Sequence, residues 1–288
     1  LDSLGTVELR NRLQGAANAP MPSTLVFDFP TARQLVHHLQ PETEPVEASG
    51  CESESSSHGN LQVFIGGMST LLPGCTASMT MATRMLVCGY DAITEVPSSR
   101  WDTKAQPAMP EPVASRVRHT GFVVGAELVD NVAFLVSPAE TAAMDPQQRL
   151  LLERGYEALH AGTLDRFALG SSDRLTGVFV GIASTEFSSV ILASPAGGSV
   201  YAATGSSLSI ASGRVSYVLG LNGPCSSYDT ACSAALTASH AGQRALQLRE
   251  CTNGLVAGVN LILAPGIATS FAIAGMTSAR GRSSTFDE

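Results

Sequence analysis

At 288 residues the chain has room for one large domain or two ordinary ones. Apolar residues make up 44% of it, charged residues only 15%, and 27 are glycine, which excludes a disordered chain and fits a well-buried α/β protein rich in tight turns. The net charge of -8 comes with no basic patch of the kind nucleic acid needs, and no apolar run is long enough to span a bilayer.

The chain opens "LDSLG", with no Met and no secretory signal, as an internal piece of something longer would. "LDSLGTVELRNRLQ" places Leu4, Val7 and Leu13 near one helical face, with Asp2 or Ser3 as cap. "TARQLVHHLQ" reads as a second helix: Thr31 and Gln34 have capping-box spacing, and Pro41 follows its end. Two helices in 40 residues are too little for a stable domain.

Residues 41–60 change the texture. They hold Glu42, Glu44, Glu47, Glu52 and Glu54 with no Lys or Arg, many Ser, and almost nothing large and apolar. Such a stretch cannot offset its ordering entropy and reads as a linker. The expected organisation is therefore 1–40, a linker over 41–60, and 61–288.

Beyond the linker, strands and helices alternate. "LQVFIGG" is a candidate strand, "TAAMDPQQRLLLERGYEALHAG" an amphipathic helix, "TGVFVGIA" a strand, and "SLSIASGRVSYVLGL" helix-like. "SSYDTA" leads into a helix running towards Asn253-Gly254 as its cap. "LVAGVNLILA" reads as a strand apolar throughout, as in a sheet covered on both faces. This alternation predicts an α/β fold with substantial parallel sheet. Asp145 and Pro146 form a regular helix start rather than a catalytic pair. The six cysteines (51, 75, 88, 225, 232, 251) show no CxxC or zinc spacing and read as reduced thiols of a reducing compartment, mostly buried.

Cys232 differs from the others by its place at a strand-to-helix junction. Unpaired N–H groups and the positive dipole end of a helix favour a thiolate there. A sharp turn exposes the side chain, and the adjacent N–H groups suit an oxyanion. Ala231, Ser233, Ala234 and Ala235 leave room for a substrate chain. The chemistry that fits is acyl transfer to sulfur; the bland alternative is a small core residue. His240 lies about 12 Å further along a helix, too far to act as base. His119 and His160 have no supporting context, and His37 and His38 fall in the N-terminal piece.

"DTACSAAL" resembles the active-site signature of β-ketoacyl synthases in modular polyketide synthases. "VPSSRWD", "AMDPQQRLLLE", "GVFVGI", "SIASGRVSYVLGLNGP", "GVNLILAP" and "AGMTSARGRSSTFD" recur in that family in the same order. "LDSLGTVELRNRLQ" and "MPSTLVFDFPTARQLVHHL" are similar to the end of an acyl carrier protein. The resemblance implies a thiolase-like fold, present as its N-terminal half and preceded by the helical tail of a carrier bundle. It implies that Ser3 bears a covalent 4'-phosphopantetheine. It also implies that Cys232 takes an acyl chain from a carrier thioester for decarboxylative Claisen condensation with a malonyl-type extender. Other synthase domains and a homodimer are the implied partners. Two histidines that assist the condensation in the family lie beyond "TFDE", so residues 1–288 alone are expected to be inactive. Ser206 stands where Asn is common, and Ile273 where Lys or Arg is frequent. A non-condensing acyl-holding module and a fatty-acid-type condensing enzyme are the alternatives. The carrier tail argues against a thiolase, which uses coenzyme A substrates.

Overall fold

A computed structural model describes residues 12–16, 21, 25, 35, 62–102, 109–164, 175–183 and 186–283. The chain divides into two compact units, Leu1–Gly59 and Asn60–Glu288. In the first, residues 12–16 are helical, and Leu25 and Leu35 are helical and buried. Ser3, the two expected caps, Cys51 and the acidic stretch 41–60 lie outside the described residues.

In the second unit the chain forms α1 (Met79–Val87), β1 (Thr94–Glu95), α2 (Val113–Arg116), β2 (His119–Thr120), α3 (Pro138–Ala143) and α4 (Pro146–Ala161). It continues through β3 (Thr176–Ile182), α5 (Glu186–Leu192), α6 (Ala202–Ser206), α7 (Leu208–Leu219), β4 (Cys225–Tyr228), α8 (Ala234–Gln247), β5 (Asn253–Val259) and α9 (Pro265–Ile273). Strands β4, β3 and β5 make a parallel sheet in that order, with β3 central, while β1 and β2 form a short antiparallel pair. No helix among the described residues is long and apolar enough to cross a membrane.

The sheet is the middle of three layers. Every residue of β3 is buried, yet its side chains still alternate. Val178, Val180 and Ile182 join Leu151, Leu152 and Leu159 of α4 and Ala211, Val215 and Leu219 of α7. Phe179 points the other way, to Ala238 and Ala245 of α8 and to Cys251. Burying one such aliphatic side chain contributes about 1.5–3 kcal/mol, so this central strand anchors the unit. It is the mixed α/β architecture with parallel strands that the alternating pattern predicts.

Four expectations need correction. The helix anticipated across "TAAMDPQQRLLLERGYEALHAG" is two helices, because Pro146 disfavours helical backbone at the residue before it. Asp145 sits at φ -53°, ψ 131°, and caps α4. Helix α8 stops at Gln247, and Asn253-Gly254 opens β5 in register with Thr176-Gly177 instead of capping the helix. "LQVFIGG" forms no strand: residues 62–70 lie in no helix or ladder, and Phe64 and Ile65 are exposed. Nor is β5 covered throughout, since it borders the sheet; Leu255 is buried but Val256 is 40% exposed. The cysteines also depart from expectation. Cys75, Cys88, Cys225 and Cys232 are exposed free thiols and only Cys251 is buried among those described.

Candidate active site

The chain leaves β4 at Tyr228 and enters α8 at Ala234 through one turn of 3-10 helix, Ala231–Ser233. Cys232 is at its centre and exposed. Ala231 has φ +54°, a left-handed conformation that costs a residue with a Cβ on the order of 1–3 kcal/mol. Polar side chains on either side hold it. Asp229 Oδ1 accepts the Ala231 N–H at 3.1 Å, an Asx turn. Ser233 Oγ donates to the Thr230 carbonyl at 2.8 Å and lies 2.9 Å from Thr230 Oγ1. Thr230 Oγ1 and Thr237 Oγ1 are 3.0 Å apart, and Thr237 Oγ1 donates to the Ser233 carbonyl at 3.1 Å. These bonds encircle the cysteine's backbone. Among the described residues, neither the N–H nor the sulfur of Cys232 has a hydrogen-bond partner. An exposed sulfur thus sits beside an unused N–H at a helix start, where the dipole favours negative charge.

Close glycine contacts aim this turn. A Cβ on Gly181 of β3 would lie 2.4 Å from the Ala235 nitrogen, 2.5 Å from the Ala234 carbonyl carbon and 2.6 Å from its oxygen. Gly258, which pairs with Gly181 across the ladder, would place a Cβ 2.7 Å from that of Ala235. Further along α8, a Cβ on Gly242 would meet Val256 Cγ2 at 2.8 Å. The helix therefore rests on the sheet with almost no side chain between them. This corrects the expectation that Ala234 and Ala235 make room for substrate. Ala234 is buried, and both residues are small because the sheet backbone is against them. Asp229, Thr230 and Thr237 carry no role in the sequence reading. The signal available for them is an Asp two residues before the turn and hydroxyls at helical spacing after it.

Behind the sheet, "DPQQR" forms a buried polar knot. Asp145 Oδ1 accepts the Gln147 N–H at 2.7 Å and its Oδ2 accepts Gln147 Nε2 at 3.3 Å. Gln147 Oε1 accepts the Leu261 N–H at 3.2 Å, just past β5. Gln148 Nε2 donates to the carbonyls of Thr204 and Ser207, and Gln148 Oε1 accepts Arg214 Nε at 2.6 Å. Arg214 also pairs with Glu140. Burial holds the Asp145 carboxyl above the usual carboxylate range, against the opposing pull of its Gln147 bonds and Arg149, and desolvation lowers Arg149. The knot joins α3, α4, α6 and α7 to the end of β5 and leaves no free group for chemistry.

The other titratable candidates lie elsewhere. His240 is on α8 and exposed. His119 is 4.0 Å from Glu95 on the small β1–β2 ladder, and His160 packs its ring against Tyr156. Burial pushes the Cys251 thiol up, which keeps it protonated and inert at neutral pH.

Residues 60–288 match the family model "Beta-ketoacyl synthase, N-terminal domain", and residues 1–39 match "Phosphopantetheine attachment site". The chain is 38% identical over 281 residues to polyketide synthase GfsE of Streptomyces halstedii, covering 94% of this chain and 7% of that protein. It is 39% identical over 291 residues to the pikromycin polyketide synthase component PikAII of Streptomyces venezuelae, covering 99% of this chain and 8% of that one. The chain thus spans less than a tenth of the length of these curated relatives. Among solved structures it resembles the ketosynthase from module 6 of the bacillaene synthase of Bacillus subtilis 168, with TM-score 0.63, 32% identity, and coverage of 75% of this chain and 35% of that one. It also resembles the oxazolomycin ketosynthase domain OzmH KS7 of Streptomyces albus JA3453, with TM-score 0.67, 31% identity, and coverage of 76% and 38%. The thiolase-like fold of ketosynthase domains is the fold of the second unit.

Proposed function

The chain belongs to the beta-ketoacyl synthase family, and from that premise we propose that Cys232 is the acyl-accepting nucleophile of a polyketide-synthase ketosynthase. The observation that carries the reading is the turn itself: an exposed sulfur beside an unpartnered N–H on a side-chain-braced turn.

In the loading step the Cys232 thiolate attacks the carbonyl carbon of an acyl thioester on a carrier. The carbonyl electrons move onto oxygen, and the Cys232 N–H donates to the oxyanion. Collapse re-forms the carbonyl and breaks the bond to the carrier sulfur, which leaves as a thiolate and takes up a proton. The acyl group is then a thioester of Cys232. Condensation with a malonyl-type extender completes the reading. No described side chain hydrogen-bonds the sulfur as a base, so residues 1–288 alone are expected to support loading at most.

Ser3 is the proposed attachment point of 4'-phosphopantetheine, supported by the "DSL" context and by the match over residues 1–39. That group supplies a flexible thiol for carrying acyl chains. The same reading takes residues 1–40 as carrier tail, 41–60 as linker and 61–288 as synthase. Its partners are carrier thioesters, neighbouring synthase domains and a second copy in a homodimer.

The test is acyl loading in the full-length polypeptide, followed by mass spectrometry of the Cys232 peptide. The native protein is expected to gain the acyl mass on Cys232 from a carrier-bound or N-acetylcysteamine thioester. Cys232→Ala is expected to gain none elsewhere in residues 61–288. Undiminished acylation of that region in the variant overturns the assignment.

A further inference from the structure

Strand β5 pairs with β3 on one side only, and its outer edge opens onto a slot of 1160 Å³. The far side of the slot is residues 62–68, which form no backbone–backbone hydrogen bond among the described residues. The helices extend past β5 on both faces. Leu151, Gly155 and Ala158 of α4 form one wall, and Gly242 and Leu246 of α8 the other. Two backbones with unused hydrogen-bonding groups thus face one gap, with helix layers above and below it.

Residues 62–68 are held at that distance. A Cβ on Gly67 would lie 2.2 Å from the Ala158 carbonyl oxygen and 2.4 Å from the Gly162 nitrogen, so the segment rests directly on the end of α4. Ser69 Oγ donates to Glu157 Oε2 at 2.7 Å just beyond. The apolar side chains here are under-covered: Phe64 is 80% and Ile65 79% exposed.

The size of the slot identifies its occupant. One strand takes about 4.8 Å across the ladder and about 10 Å between layers, and seven residues, the length of β5, run about 23 Å. The product is roughly 1100 Å³, close to the 1160 Å³ of the slot. A second copy presenting its own β5 cannot enter between two rails without displacing residues 62–68. The solved ketosynthases that this chain resembles extend far past the matched region, which is only 35% and 38% of their length.

We propose that the slot between β5 and residues 62–68 accepts one extended, apolar strand of the same polypeptide, from beyond residue 288, which joins "LQVFIGG" to the sheet as a fourth and fifth strand. Helices cover both faces of the slot, so the inserted segment is apolar at successive positions rather than alternate ones. The proposal concerns the backbone of β5 and not the sulfur chemistry. Failure of acyl loading leaves it intact, and its own failure leaves Cys232 as nucleophile.

The test uses the full-length polypeptide with Phe64 replaced by p-benzoylphenylalanine, produced as a mixture of isotopically light and heavy molecules. On irradiation, the residue 64 peptide is expected to crosslink to an apolar peptide C-terminal to residue 288 of the same isotopic label. In the unsubstituted protein, the amides of 254–259 are expected to exchange at least about 100-fold more slowly than in an unstructured chain, as amides within a paired ladder do. Light-to-heavy crosslinks, a crosslink within residues 1–288, or unprotected exchange at 254–259 overturns the proposal.

Discussion

Gly181→Ala tests whether the sheet aims the nucleophile. The added Cβ would lie 2.4 Å from the Ala235 nitrogen, and ordinary contact begins near 3.4 Å, so the start of α8 must retreat by about 1 Å. The contacting atoms are backbone, and no side-chain rotation relieves them. Overpacking of this kind costs about 1–3 kcal/mol. Ala235 is three residues from Cys232, on the far side of the hydroxyl ring that fixes the turn. A displacement of 1 Å at a reacting group can lower a rate by about 100-fold. The expected result in the full-length protein is a loading rate on Cys232 lower by about 10–100-fold, with the domain still folded. Gly213→Ala is the control: a Cβ there meets nothing within 4 Å, and replacing a mid-helix glycine should stabilise by about 0.5–1 kcal/mol and leave loading unchanged. Wild-type loading and stability in Gly181→Ala would falsify the claim that this close approach positions the cysteine.

Other outcomes follow from the buried knot and the carrier segment. Arg214→Met removes the donor to Gln148 Oε1 and the partner of Glu140, and should cost about 1–3 kcal/mol in chemical denaturation; a change below about 0.5 kcal/mol contradicts the knot's role. Asp145 has a pH signature. Its folded carboxyl sits above the ordinary value of 3.8, so the folded state holds the proton more tightly than the unfolded chain. Its contribution is therefore full below 3.8 and lost as pH rises through the higher folded value. The stability of Asp145→Asn relative to native should accordingly improve with rising pH over that window, and a flat or opposite trend rejects the burial argument. Ser3→Ala should block the mass gain from a phosphopantetheinyl transferase, and a variant that still gains it moves the attachment elsewhere.

The alternation of elements and the position of Cys232 were legible because each rests on local signals. An apolar run such as "TGVFVGI" reads as a strand wherever it lies, and Asp145-Pro146 starts a helix by backbone sterics alone. The same Pro also implies the break before α4, though the apolar pattern runs across it. What stayed hidden depends on residues far apart in the chain. The small side chains after Cys232 suggest open space until Gly181 and Gly258 are seen against them. "LQVFIGG" has the composition of a strand, but a strand exists only beside a partner, and none of the described residues provides one. The exposure of Val256 has the same origin, because composition does not distinguish a sheet's border from its interior.

The hydrogen bond between Gln147 and Leu261 spans 114 residues of sequence. At a translation speed of about 5–20 residues per second, the glutamine waits roughly 6–20 s at the ribosome for its partner. Strand β3 emerges before both of its neighbours, β4 and β5. The most apolar strand of the unit is thus the one left longest without a ladder during synthesis, and that interval is when a nascent-chain chaperone has most to bind.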